Sequence, residues 1–148
     1  MMKPSNIEPD TELKNLLKGA ITVGVAGGGT ENVAVYSDWE RPTNQLPSDF
    51  IVVYMNGDPS GLSMDTLFAK GFIMVSLYCK MNDDGSVKKN RIQKILAQFD
   101  ELIDKCLTEN YYYEYDAQRF ITPTSPNQAS GYSVTTLNLR WTTTSNFK

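Results

Sequence analysis

From Val87 to Thr108 the apolar residues Ile92, Ile95, Leu96, Phe99, Leu102, Ile103, Cys106 and Leu107 recur at i, i+3, i+4 and i+7 without a gap. The spacing predicts one amphipathic helix of about 20 residues, ~30 Å long at 1.5 Å per residue. It has a single wide apolar stripe, so it must lie across one face of something equally apolar. The chain offers that surface as strands. FIVVYM, residues 50 to 55, is continuously apolar, as expected of a strand covered on both faces. FIMVSLYCKM, residues 72 to 81, turns Ile73, Val75, Leu77 and Cys79 to one side. Its other side carries Phe72, Met74, Ser76 and Tyr78, which is more apolar than a purely solvent-facing surface requires.

The remaining elements fit around this pair. EPDTELKNLLKG predicts a short first helix, with Pro9 suited to its first position, Asp10 and Glu12 at its positive end, and Gly19 past its C-terminus. Leu13, Leu16 and Leu17 form its stripe. The stretch DWERPTNQLPSD reads as an irregular crossing loop, and NGDPSGLSMDTLFAKG as turns with one helical turn near Met64 to Phe68. YEYDAQRFI (113 to 121) and YSVTTLNLRW (132 to 141) predict a final pair of strands joined by the Pro- and Ser-rich TPTSPNQASG. The expected fold class is α+β: a mainly antiparallel sheet with one long amphipathic helix on one face, a short N-terminal helix and a protruding β-hairpin. At 148 residues the simplest organisation is a single domain over 1–148.

The hairpin comes from ITVGVAGGGTENVAVYSD, residues 21 to 38, where three glycines follow a β-branched run. Phosphate-binding loops begin this way, but the dinucleotide fingerprint fails: starting at Gly24 the third position is Ala26, and starting at Gly27 the sixth is Asn32. A Walker-type loop counted from Gly24 to Gly29 puts Thr30 and Glu31 where Lys and Ser or Thr are needed, and a carboxylate there would repel phosphate. Both motifs also need a helix next, whereas Val33 and Val35 alternate with polar or small residues as a strand does. Ile21, Val23 and Val25 share that period, so the stretch predicts two strands around a flexible tip of Gly27, Gly28, Gly29, Thr30 and Glu31.

Several chemistries are disfavoured by what the chain lacks. Histidine is absent, which removes His-based acid and base catalysis, Ser-His and Cys-His nucleophile activation and the common His metal sites. Cys79 and Cys106 each sit inside an apolar pattern, the usual setting of buried thiols, and their pairing is left open. NDDG at 82 to 85 places acids before a glycine, but Val87, Lys88 and Lys89 follow where a calcium loop continues to its Glu, so a tight turn is the better reading. Tyr111, Tyr112, Tyr113 and Tyr115 could stack on bases, yet Glu114 and Asp116 among them would repel a phosphate backbone. Asp49 or Asp58 could serve as a general base and Arg119 or Arg140 could pair with carboxylates across the last hairpin, but no spacing completes a catalytic set. With 17 acidic and 14 basic side chains, net −3, no basic stripe marks a nucleic-acid surface. No h-region opens the chain and no run approaches the ~20 apolar residues of a membrane span, so a soluble protein without a cleaved signal is expected. No catalytic, cofactor-binding or metal residue is therefore assigned.

The order of elements resembles the tail-terminator, or tail-completion, proteins of long-tailed bacteriophages. LPSDFIVVYMNGD, FIMVSLYCKMNDDGSVKKNRIQKILAQFDELI and the closing GYSVTTLNLRWTTT carry the likeness, which is one of pattern over most of the chain. It implies a virion structural protein located at the head-proximal end of the tail and assembled in the host cytoplasm. Its subunits would form a homo-oligomeric ring, usually a hexamer, that ends the tail tube and meets the head-neck connector or stopper protein. DNA would pass through the channel without specific binding, which the balanced to acidic charge suits because lysine-rich walls would grip phosphates. Another head–tail connector, a baseplate component, or a small cellular ligand-binding or regulatory α+β domain are the alternatives.

A ring subunit needs surfaces for its neighbours. The candidates are the tip, Gly27, Gly28, Gly29, Thr30 and Glu31, which can order on docking, and the second face of the 72–81 strand, Phe72, Met74 and Tyr78, which one helix cannot cover.

Overall fold

The computed structural model describes residues 9–37, 47–56, 70–105, 111–115 and 131–143. The predicted crossing loop, the turn near Met64 to Phe68, Asp58, Cys106, Leu107, Arg119 and the loop before Gly131 lie largely or wholly outside them.

Among the described residues two helices and seven strands follow in the order α1 (Pro9–Leu17), β1 (Thr22–Gly24), β2 (Thr30–Asn32), β3 (Ala34–Ser37), β4 (Asp49–Asn56), β5 (Lys70–Lys80), α2 (Lys89–Lys105), β6 (Tyr111–Tyr115) and β7 (Tyr132–Thr143). Strands β3-β4-β5-β7-β6 form one sheet in that spatial order, antiparallel except for the parallel β3–β4 pair. The α+β reading holds.

Both helices cover the same face. Ile92, Ile95, Leu96, Phe99 and Ile103 of α2 and Leu13 and Leu17 of α1 join Val35, Ile51, Val53, Ile73, Val75, Leu77, Leu137, Leu139 and Trp141 in one buried cluster. The stripe of α2 therefore packs where its periodicity requires, and each fully buried Leu or Phe contributes roughly 1.5–3 kcal/mol of transfer free energy. The register fixes which residues share that face: Ile51, Leu77 and Thr135 form one row, Val53, Val75 and Leu137 the next. Tyr113 of β6 donates its hydroxyl to the Pro9 carbonyl at 2.7 Å, tying the start of α1 to the sheet's far edge.

The hairpin is present but differs from the expected pair of strands. β1 and β2 form their own two-stranded sheet, with Thr22 opposite Asn32 and Gly24 opposite Thr30. The second arm then divides at Val33, whose N–H still bonds to the Ile21 carbonyl at 2.8 Å, and β3 leaves to run parallel to β4. The alternation of NVAVYSD passes through this division unbroken, because Val33 and Val35 are both buried in the same core. The period therefore reports the burial but not the change of partner.

Candidate functional site

The hairpin's base is fastened to α2. Ile21 and Val23 are buried, and between them Thr22 exchanges two bonds with Gln98: its N–H donates to Oε1 at 2.9 Å and Nε2 donates to its carbonyl at 2.8 Å. The amide side chain thus imitates one step of a β-ladder. Beyond Val25 the arm is exposed from Ala26 to Asn32. Gly27, Gly28 and Gly29 all lie at positive φ, between 86° and 96°, and no neighbour stands near where their Cβ atoms would be. The glycines are thus required by backbone conformation and not by close approach of another group, since L side chains rarely adopt that region. Only local bonds close the tip, Gly28 N–H to the Val25 carbonyl and Val25 N–H to the Gly29 carbonyl, both 3.2 Å.

An ion pair that sequence reasoning missed anchors the arm's root. Arg91, in the first turn of α2, donates Nε to Asp49 Oδ1 at 3.0 Å and Nη2 to Asp49 Oδ2 at 2.7 Å, while Nη1 donates to the Gly24 carbonyl at 3.0 Å. The Asp49 side chain is 3% exposed, that of Arg91 29%. Asp49, considered above as a general base, is thus the buried partner of a guanidinium. The hydrogen bonds to Asp49 raise the Arg91 pKa further, so the guanidinium stays charged. Asp49 also faces Cys79 across the β4–β5 ladder. Burial first, and the neighbouring carboxylate second, push the Cys79 thiol well above its ordinary range, which makes it a poor nucleophile.

NDDG closes as a turn. Ser86 donates both its N–H and its hydroxyl to Asp84 Oδ1, and these two bonds hold the Asp84 carboxyl below its usual pKa. Among the described residues no group of three His, Cys, Asp or Glu is placed to hold a metal ion, and no helix is long and apolar enough to cross a membrane.

The sheet's second face is divided. At one end the chain covers it with its own aromatics: Phe50 and Val52 are buried, Phe50 stacks on Tyr78 with centroids 4.6 Å apart and planes 5° from parallel, and Tyr132 packs edge-on to Phe50 while donating to the Pro47 carbonyl. Tyr78 is therefore engaged within the subunit, which narrows the expected interface. Midway, a polar row runs from the Tyr54 hydroxyl through Ser76 to Thr136. The other end is open: Phe72 is 45% exposed and Tyr112 41%, with half-buried Met74 and the exposed Asn138 beside them. Phe72 shares a row with Arg140 and Glu114, which form the cross-strand pair expected of Arg140, at 3.5 Å.

The structure does not bring the candidate residues together. Gly27 to Glu31 project on the helix-covered side near Asp49, whereas Phe72 and Met74 belong to the opposite face, toward the other end of β5. They form two separate surfaces. Compared with known proteins, the chain matches no family model, and no curated protein aligns with it significantly.

Proposed function

We propose that this chain is a structural subunit of a bacteriophage virion, of the tail-terminator type: it forms a homo-oligomeric ring that ends the tail tube and meets the neck proteins, and it is not an enzyme. The observation that carries the reading is the uncovered end of the sheet's second face. Both helices lie on one side, and the exposed Phe72 and Tyr112, with Met74 between the aromatic cluster and the open end, leave apolar surface that an assembling neighbour would bury. The hairpin tip supplies a second contact, exposed and set with glycines that can reorder on docking. Asp49, the buried carboxylate first weighed as a base, is engaged with Arg91, and Cys79 is buried with its thiol held protonated.

Native mass spectrometry and light scattering of the purified chain, alone and with its tail-tube protein, test the proposal. A closed ring, or a ring formed on the tube end in electron micrographs, is expected. A chain that stays monomeric in both conditions overturns it.

A further inference from the structure

We infer that neighbouring copies of this chain join head to tail along the outer edges of β3 and β6, with the lysines of α1 on one copy seated against the carboxylates of α2 on the next; this rests on the ring reading above. Among the described residues β3 and β6 are the outermost strands of the sheet, so each presents backbone groups on which another strand can pair. Beside each edge runs an open groove, and the two grooves carry opposite charge. The groove between α2 and β6 takes its charge from Asp100, Glu101 and Asp104 of α2 and is lined by no described cation; Glu114 borders it from β6, with its carboxylate paired to Arg140 on the other face. Tyr115 donates its hydroxyl to Asp100, which holds that carboxylate on the groove wall. The groove beside β3 is lined by Lys14 and Lys18 and, among the described residues, by no carboxylate.

The charge pattern selects the kind of contact. Pairing β3 with β3 would oppose lysines with lysines, and pairing β6 with β6 would oppose carboxylates with carboxylates. A two-fold dimer through either edge is disfavoured, and the complementary β3-to-β6 contact is heterologous, the kind that propagates around a ring. Strand polarity agrees. β3 runs with β4, and the alternation through β5 and β7 leaves β6 running the other way, so a repeat along the sheet brings β3 and β6 together antiparallel. Both charged helices lie on the same face, so their layers also meet.

The register adds a geometric condition. Tyr115 falls in the row of Leu139, Ile73 and Met55, whereas β3 occupies the rows of Phe50 to Val53. The two edges are displaced along the strands by about five residues, roughly 18 Å, over five strand spacings of ~4.8 Å. Head-to-tail pairing over the full strands then inclines them by about 35–40° to the ring axis, within the range of closed sheets.

Charge reversal tests the contact. Lys14→Glu/Lys18→Glu and Glu101→Lys/Asp104→Lys are made separately, together in one chain, and as an equimolar mixture of the two variants. Circular dichroism and melting should match the parent throughout, and parental assembly should weaken with rising salt. Each single-edge variant should lose assembly by tenfold or more in sedimentation velocity, while the mixture and the doubly reversed chain should recover it. If the parent forms rings and the single-edge variants do so equally well, or if neither the mixture nor the doubly reversed chain recovers, the edge assignment is wrong while the ring reading stands. If the parent forms no ring even with tube protein, both fall.

Discussion

Arg91 grips Asp49 with both prongs of its guanidinium, Nε on Oδ1 and Nη2 on Oδ2, and gives its third donor direction to the hairpin through the Gly24 carbonyl. One side chain thus ties the start of α2 to the start of β4 and to the root of the arm. It also places a carboxylate beside a first helical turn that has no acid of its own, where α2 opens with Lys89, Asn90 and Arg91. Arg91→Ala leaves the buried Asp49 carboxyl without its guanidinium partner. A loss of roughly 2–4 kcal/mol in urea unfolding is expected, below the full cost of breaking a wholly buried pair because Arg91 is partly exposed. Arg91→Lys should recover only part of it, since an ammonium cannot form the fork and reach Gly24 together. Unchanged stability in Arg91→Ala would show that the pair is ornamental.

Phe99 is the central side chain of the α2 stripe and is 2% exposed. Its ring lies 6.3 Å from that of Tyr115, so it meets β6 as well as the core. Phe99→Ala should cost about 3–5 kcal/mol and lower the melting temperature by ~10 °C or more. A variant that melts with the parent would place α2 outside the core.

Gly71 and Trp141 face each other across the β5–β7 ladder, and a Cβ added at Gly71 would lie 2.8 Å from the indole ring. The ring is buried and wedged edge-on against Tyr111, with centroids 5.5 Å apart, so it has little room to move. Gly71→Ala should overpack this site by about 1–3 kcal/mol. Pairing it with Trp141→Phe, which removes the offending atoms, should return part of the loss in a double-mutant cycle.

Much of this architecture was legible in the chain because it depends on local period. The α2 stripe, the two faces of β5 and the cap and stripe of α1 follow from spacing alone, since each element meets the core with one consistent face. Relations between distant residues were not legible. Nothing local says that Arg91 will meet Asp49, 42 residues earlier in the chain. Nor could alternation reveal that the arm after the glycines changes partner at Val33, because burial continues while the ladder switches from β1 to β4. The second face of β5 reads in sequence as more apolar than a solvent-facing surface requires, yet Phe50 and Tyr132 close half of it, because the aromatics that cover it come from β4 and β7. The two charged edges stayed hidden for the same reason: Lys14 and Lys18 gather with β3, and Asp100 and Asp104 with β6, only once the sheet order is known.

Cys79 links stability to alkaline pH. Burial raises its thiol in the folded state, so between the unfolded thiol's ~8.5 and the higher folded value only the unfolded chain has released the proton. Its contribution is therefore intact below about pH 8.5 and declines as pH rises above it, by up to ~1.4 kcal/mol per pH unit. The parent should lose stability between pH 8.5 and 10 more steeply than Cys79→Ala, with both measured by urea midpoint. Parallel slopes would mean that the thiol is solvated.

The hairpin tip separates assembly from folding. Gly24 and Thr30 are already opposite one another in the β1–β2 register, and no side chain from Val25 to Gly29 is fully buried. Replacing Val25–Gly29 with Asn-Gly therefore joins the same two strands through a favoured two-residue turn. It leaves in place the Thr22–Gln98 exchange, the Gly24–Arg91 bond and the buried Ile21 and Val23 that fasten the arm's base. The melting temperature should stay within a few degrees of the parent, because what is lost is exposed backbone held only by local bonds. If the exposed tip is the part that reaches a neighbouring subunit or the tube end, the shortened chain should bind tail-tube ends at least tenfold more weakly in a pull-down titration and form fewer rings in electron micrographs. A shortened arm that unfolds the protein would make the tip part of the core. One that assembles like the parent would remove the hairpin from the interface and leave the sheet edges and the Phe72 face to carry it.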